Sequence, residues 1–239
     1  MLGNVAEDPS TEEHLLRGTL AHAFFEAIGR GMDAEKAKLL VMEAFERIQD
    51  VPQWQLRFKL DEFSALLDRA REWARQSEVN QELVGVEIPV GVHVGEGVRI
   101  GGYMDRLLRD EEGNYLVVDL KTGKNQPAKK EAEDHVQLMT YQLALAHGAF
   151  DGHQVHDGEG MPRQGGVLVY PGATTKKIGE IWQSDKSPEA LEEFAALLPP
   201  LVEEMRGPRI TARTNKDCDK CPIRSICPVQ EEGRMTTDA

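Results

Sequence analysis

The feature that most constrains the fold is a pair of apolar segments on either side of a short turn. The segments "GYMDRLLRD" and "YLVVDLK" flank "EEGN", and apolar runs of this length around a turn predict an antiparallel β-hairpin. If Arg109 faces Tyr115, the same register places Asp105 opposite Asp119. The hairpin therefore predicts two carboxylates at one paired position of an otherwise apolar sheet.

Paired residues in a hairpin hold their side chains on the same face, with Cβ atoms about 5 Å apart. Lys121 lies two positions after Asp119 and shares that face. Like charges at paired positions are destabilising unless they are neutralised, and Mg²⁺ prefers carboxylate oxygens. The pattern therefore indicates a metal site. Asp119 and Lys121 alone are more typical of a surface ion pair, which a one-residue slip of the hairpin would produce.

The hydrophobic periodicity changes from helical to alternating near residue 83, and this change sets the order of the elements. The last helix is expected to break at Pro199 and Pro200, and residues 150–166 are expected to form a flexible loop. The predicted elements are helices around 16–28, 40–48 and 54–75, strands at 83–94, 98–108, 115–121, 165–171 and 176–183, and helices at 132–148 and 187–205. This order predicts an α/β (α+β) fold, with a mixed central sheet flanked by helices.

The composition limits the classes of protein that remain. The chain has 239 residues, of which 40% are hydrophobic and 29% charged, and no apolar run approaches the roughly 18 residues that span a bilayer. The first residues lack the basic and apolar regions of a secretion signal. We therefore expect a soluble, cytoplasmic protein. The net charge of -13 argues against coating of nucleic acid through overall charge, but it leaves room for a local basic groove.

Four short motifs, in this order and at this spacing, resemble the PD-(D/E)xK nuclease superfamily. They are similar to its RecB-like branch, which includes the nuclease domains of AddB and AdnAB helicase-nucleases and the nucleases of CRISPR adaptation. The motifs are "GTLAHAFFE" with His22, "GGYMDRL" with Asp105, "VVDLKTGK" with Asp119 and Lys121, and "QLMTYQLAL" with Gln137 and Tyr141. The resemblance implies a restriction-endonuclease-like core at 83–205, preceded by a helical part at 1–82 and followed by a cysteine-rich tail at 206–239.

The resemblance also implies a ligand set for Mg²⁺ or Mn²⁺. The expected ligands are His22, Asp105, Asp119 and the backbone carbonyl of Leu120. Lys121 is the expected catalytic lysine, with Asp105 and Asp119 as the catalytic carboxylates. A histidine inside an amphipathic helix is more often structural, but the motif around His22 favours a ligand.

Other residues are expected to support the site or to contact DNA. Gln137 and Tyr141 are four residues apart and share a helix face, and the family places such a pair beside the active site and the DNA. Arg106 is expected to support the site or to form a structural ion pair. Lys124 lies in a basic stretch suited to phosphate contacts, and Glu87 is a candidate supporting acid on the preceding strand.

The function implied by the resemblance is a Mg²⁺- or Mn²⁺-dependent (exo)deoxyribonuclease that trims single-stranded ends in double-strand break repair. Its expected partner is a helicase motor, in the same polypeptide or as another subunit, because the sequence lacks the G-x-x-x-x-G-K-[ST] phosphate loop. Two alternatives remain open. One is a noncatalytic DNA-binding or scaffold module that keeps the nuclease fold, and the other is a standalone nuclease of the CRISPR-adaptation kind.

All three cysteines of the chain fall in one short stretch of the tail. Cys218, Cys221 and Cys227 form the pattern C-x2-C-x5-C, which is typical of a zinc or iron-sulfur site in a reducing compartment. The resemblance favours a [4Fe-4S] cluster whose fourth cysteine precedes the His22 helix. No cysteine lies between Met1 and His22. We therefore expect this chain to be a fragment of a longer helicase-nuclease. The cluster is expected in the longer protein and is expected to be absent or incomplete in this chain.

Overall fold

The computed structural model describes residues 9–95, 97–126, 128–147, 161–172, 177–207, 212–215 and 218–231. Within these residues, no helix is long and apolar enough to cross a membrane. The elements are α1 (Pro9–Gly29), α2 (Ala34–Arg47), α3 (Gln53–Ser77), β1 (Glu82–His93), β2 (Arg99–Arg109), β3 (Tyr115–Leu120), α4 (Lys129–Glu133), α5 (Val136–Ala146), β4 (Arg163–Tyr170), β5 (Gly179–Gln183), α6 (Pro188–Arg206) and two 3-10 helices (Cys218–Lys220 and Arg224–Ile226).

The five strands form one sheet in the order β1-β2-β3-β4-β5. β3 and β4 are parallel, whereas the other neighbouring strands are antiparallel. The β2–β3 pairing aligns Arg109 with Tyr115 and Arg106 with Val118, which confirms the predicted hairpin register. The chain crosses from β3 to its parallel neighbour β4 through α4 and α5, as parallel pairing requires. The mixed sheet and flanking helices confirm the predicted fold class.

Helices cover both faces of the sheet, because alternate residues of the central strands are apolar on each side. On one face, Phe24 of α1 and Leu67 of α3 share a core with Val118 and Val169. On the other face, Leu138 and Leu145 of α5 pack with Val117 and other strand residues. α1 and α5 therefore lie on opposite sides of β3, and both reach the level at which that strand ends.

The expected break of the last helix is wrong, because α6 runs without interruption through Pro199 and Pro200. Each proline lacks an N–H donor, which normally weakens or kinks a helix. Here the helix begins with a strong N-cap, in which the Ser187 side chain accepts a hydrogen bond from the backbone N–H of Ala190. The same helix packs Leu191 and other apolar side chains against Leu143 of α5 and Val92 of β1, and this tertiary packing overrides the local preference.

The single helix expected at 132–148 is also wrong, because the structure divides it into α4 and α5 around Asp134 and His135. The amide of Gln183 on β5 donates to the backbone carbonyls of Ala132, Glu133 and His135. These bonds satisfy the carbonyls where α4 ends, a role that no local sequence pattern reveals. Most of the expected loop at 150–166 lies outside the described residues, and its last four residues belong to β4.

Candidate active site

The two aspartates of the hairpin meet His22 of α1 at the end of β3. The Asp105 and Asp119 side chains are almost fully buried. One carboxylate oxygen of Asp105 lies 3.2 Å from Nδ1 of His22, and the other accepts a hydrogen bond from the backbone N–H of Leu120 at 2.6 Å. The structure therefore brings together residues of α1, β2 and β3 that the sequence separates by nearly one hundred positions.

Glu87 belongs to the same cluster. A ligand atom of Glu87, one of His22 and one of Asp105 all lie within 4.8 Å of one another. The register of β1 and β2 aligns Val86 with Arg106 and Ile88 with Met104, which places Glu87 across from Asp105. Glu87 was predicted to have only a supporting role, because the alignment of β1 with β2 was not predicted.

The backbone of Glu87 is strained. Its φ of 48° is the only positive value at a non-glycine residue of the described chain. The left-handed conformation costs roughly 1–2 kcal/mol for a residue with a side chain. Such strain is often found where function fixes the position of a side chain, and here it accompanies a carboxylate directed at the cluster.

The cluster contains more negative charge than its own cations neutralise. Burial and the charge of Asp105 raise the pKa of Asp119 to about 6, although Nζ of Lys121 lies 2.7 Å away. Burial and the charge of Asp105 also raise the pKa of Glu87. Burial lowers the pKa of His22, but the hydrogen bond and charge of Asp105 outweigh it and leave that pKa raised. Each shift favours added positive charge, so the donor set fits a divalent cation.

A chain of hydrogen bonds fixes Lys121 beside Asp119. Its ammonium group donates to the Gln137 carbonyl oxygen at 2.7 Å, and the Gln137 amide donates to the Tyr141 hydroxyl at 2.8 Å. That hydroxyl donates to the backbone carbonyl of Tyr103 at 2.6 Å. Burial raises the pKa of Tyr141 to about 12, which keeps the phenol protonated. The pair on α5 thus positions the lysine from the side of the sheet opposite α1.

Two of the expected residues do not join the cluster. Arg106 is buried under α1, where its guanidinium lies 4.6 Å from the centre of the Phe25 ring and 2.9 Å from a carboxylate oxygen of Glu78. Arg106 therefore holds α1 against the sheet. Lys124 pairs with Glu62 of α3 at 2.7 Å and lines a groove beside the cluster rather than the cluster itself.

The three cysteines lie together but do not form a compact ligand set. All three are half-buried and free, and the Cys218 sulfur accepts a hydrogen bond from the backbone N–H of Asn215 at 3.1 Å. In the described chain, His22, Glu87 and Asp105 form the one group of three such ligand atoms within 4.8 Å of one another. The thiols of Cys218, Cys221 and Cys227 therefore do not all lie within 4.8 Å of one another.

The profile of the PD-(D/E)XK nuclease superfamily matches residues 2–228, so the chain belongs to this superfamily. Its members are typically nucleases that use divalent metal ions, and the fold implies DNA as the substrate. The chain is similar to a solved protein described as "Crystal structure of SSO0001", with 16% identity and a TM-score of 0.41 over 92% of this chain and 97% of that one. No curated protein sequence gives a significant match.

Proposed function

We propose that the chain is a Mg²⁺- or Mn²⁺-dependent deoxyribonuclease that hydrolyses phosphodiester bonds at single-stranded DNA ends. The observation that supports this most strongly is the convergence of His22, Glu87 and Asp105 beside the buried Asp119 and its neighbour Lys121. All three residues of the nuclease signature are present, namely Asp105, Asp119 and Lys121. They lie on or directly after the paired strands β2 and β3. A noncatalytic module would not need to retain this set.

The residues proposed to hold the metal are His22, Asp105, Asp119 and the carbonyl of Leu120, with Glu87 as a further carboxylate. One imidazole and several carboxylate oxygens suit Mg²⁺ or Mn²⁺. When bound, the ion lowers the pKa of water and screens the charge of the phosphate. Asp105 holds the His22 ring through Nδ1, so the direction of that ring is set before any ion binds.

The side chains of the site also contribute directly to hydrolysis. The Lys121 ammonium is one-third exposed and held by Gln137, so it is available to counter the phosphate charge and to orient the attacking water. Gln137 and Tyr141 limit the rotamers that Lys121 can adopt. Preorganisation of this kind avoids the cost of ordering a flexible lysine during the reaction.

The proposed biological setting is the nuclease domain of a RecB-, AddB- or AdnAB-like helicase-nuclease in double-strand break repair. Its support is the order of the four motifs from His22 to Tyr141 and the absence of an ATP-binding phosphate loop from the sequence. We further propose that Cys218, Cys221 and Cys227 are three ligands of a [4Fe-4S] cluster that a fourth cysteine completes in a longer parent protein, with zinc as the rival metal. The Cys218 sulfur already accepts a backbone N–H bond, as metal-bound thiolates commonly do.

The test is a cleavage assay with end-labelled single- and double-stranded DNA. We expect the wild type to cleave in Mn²⁺ or Mg²⁺, to prefer single strands, and to stop in excess EDTA. Asp119→Ala should be inactive in every condition while its circular dichroism spectrum stays native. Cleavage by the wild type in excess EDTA, or by Asp119→Ala at the wild-type rate, would refute the proposal.

A further inference from the structure

We propose that a groove beside the metal cluster binds single-stranded DNA by stacking its bases on Trp54 and Phe58. The groove has a volume of about 600 Å³ and lies between α1, the start of α3 and the loop that follows β3. Trp54 and Phe58 of α3 form one wall, and the loop from Thr122 to Asn125 forms another. This inference rests on the proposed nuclease function for the choice of ligand.

The groove lies next to the cleft of the metal cluster. That cleft, of about 590 Å³, contains His22, Glu87 and Asp105, and both cavities are lined by His14 and Thr122. His14 and His22 are two turns apart on α1, a distance of about 12 Å along the helix axis. A single DNA strand with one phosphate at the metal cluster would therefore reach the groove within a few nucleotides.

The two aromatic side chains are unusually exposed for their size. Trp54 is 73% exposed and Phe58 is 64% exposed, and their spacing of four residues places both on one face of α3. Neither ring packs into the core below, where Phe45 and Phe63 contact each other instead. Exposed aromatic rings beside a nucleic acid path provide stacking platforms, because every base has a π-face.

Cationic side chains accompany the aromatic rings. Arg17, Lys59 and Lys124 line the groove, while Lys59 pairs with Glu13 and Lys124 with Glu62. Arg17 makes no ion pair with another described residue, and its buried Nε has no hydrogen-bond partner among them. In a chain with a net charge of -13, a groove with three cationic and two anionic side chains is suited to the phosphates of a nucleic acid.

Single-stranded DNA is the occupant that these features favour. The bases of a duplex are already stacked on each other, so they are not available to Trp54 or Phe58. A protein partner would use the aromatic rings but would not need the groove to lie next to the metal cleft. Because stacking depends on bases and the cations act on phosphates, an oligonucleotide without bases separates the two contributions.

The experiment measures binding of fluorescein-labelled single-stranded DNA to the full chain by anisotropy, in EDTA so that no cleavage occurs. We expect Trp54→Ala and Phe58→Ala each to weaken binding about 10-fold, and Trp54→Phe to weaken it less than about threefold. Trp182→Ala is the matched control, because Trp182 is also exposed but does not line the groove. Affinity for an abasic oligonucleotide should be equal in wild type and Trp54→Ala.

The outcomes separate this inference from the proposed function. If the wild type cleaves DNA but Trp54→Ala and Phe58→Ala bind it as tightly as Trp182→Ala does, the stacking proposal is wrong and the nuclease assignment stands. If the wild type does not cleave DNA but Trp54→Ala binds it more weakly than the wild type does, the stacking proposal stands and the nuclease assignment is wrong. An altered sedimentation coefficient of Trp54→Ala without altered DNA affinity would assign the aromatic rings to a protein interface and overturn the inference.

Discussion

The acidic cluster at the end of β3 and the cysteine tail after α6 both gather potential metal ligands, but they draw them from different distances along the chain. His22, Glu87 and Asp105 come from α1, β1 and β2, and the sheet holds them in place before any ion binds. The cysteines lie within ten residues of one another, and their cavity is lined by residues of 212–230 alone. The cluster therefore depends on contacts between distant segments, whereas the cysteines are brought together by local folding of the tail.

The cluster and the tail also differ in their energetics. Asp119 is 1% exposed, so its negative charge destabilises the metal-free protein. A bound cation would interact strongly with this buried charge. The cysteines are half-buried, and removing one thiol leaves no cavity in the central core. Changes in the cluster should consequently have large effects on both activity and stability, and changes in the tail small ones unless a metal is bound.

The largest effect is expected when one carboxylate of the cluster is removed. Asp105→Ala should lower the cleavage rate at least about 10³-fold, because electrostatic stabilisation and the His22 contact are lost together. The measurement is single-turnover cleavage of labelled single-stranded DNA in Mn²⁺. Glu111→Ala is the matched control, since Glu111 lies in the turn of the same hairpin and is exposed. Equal losses in the two variants would contradict the assignment.

An intermediate effect is expected on the stability of the metal-free protein. The pKa of Asp119 is about 6 in the folded state and about 3.9 in an unfolded chain. The folded state therefore binds more protons, and the wild type loses stability as the pH rises from about 4 to 6. At pH 7.5 in EDTA, Asp119→Asn should be more stable than the wild type by about 1–3 kcal/mol.

Urea denaturation at two pH values checks this prediction. The advantage of Asp119→Asn should shrink as the pH falls to about 4 and disappear near pH 3, where the wild-type carboxyl is largely protonated in both states. Mn²⁺ at pH 7.5 should stabilise the wild type and leave Asp119→Asn almost unchanged. A variant that is less stable than the wild type at pH 7.5 would show that the ion pair with Lys121 outweighs the cost of burial.

The smallest effect is expected in the tail. Without bound metal, Cys221→Ser should change the free energy of unfolding by less than about 0.5 kcal/mol, because the side chain is partly exposed and the substitution is nearly isosteric. Cleavage should stay within twofold of the wild type. In a longer protein that supplies the fourth cysteine, produced anaerobically with excess iron, metal analysis should find less iron when Cys221 is replaced by serine. Zinc without iron in both proteins would favour the rival metal.

The sequence allowed accurate prediction where one local pattern fixed the geometry. The turn "EEGN" set the register of β2 and β3, and this register placed Asp105 beside Asp119. Gln137 and Tyr141 were placed together by helical spacing alone, although their bond to Lys121 also required the relative position of α5 and β3. Such predictions succeed because the interacting groups are near in sequence or share a rigid element.

The predictions that failed depended on contacts between distant segments. α4 ends early because the Gln183 side chain on β5 donates hydrogen bonds to its last carbonyls. α6 stays continuous through its prolines because its apolar side chains pack against other elements. Glu87 was underestimated for the same reason, because its place opposite Asp105 depends on the alignment of two strands and on a left-handed backbone. No single-segment pattern reports these long-range contacts.

Calorimetric titration of the metal-free protein with Mn²⁺ tests the central claim most directly, because it detects the ion without requiring DNA or turnover. The wild type should bind Mn²⁺ saturably at neutral pH, with release of protons from the cluster. Asp105→Asn should bind at least about 10-fold more weakly, while Cys221→Ser and Glu111→Ala should bind as the wild type does. Equal Mn²⁺ affinity in Asp105→Asn and the wild type would contradict a metal centre at this hairpin.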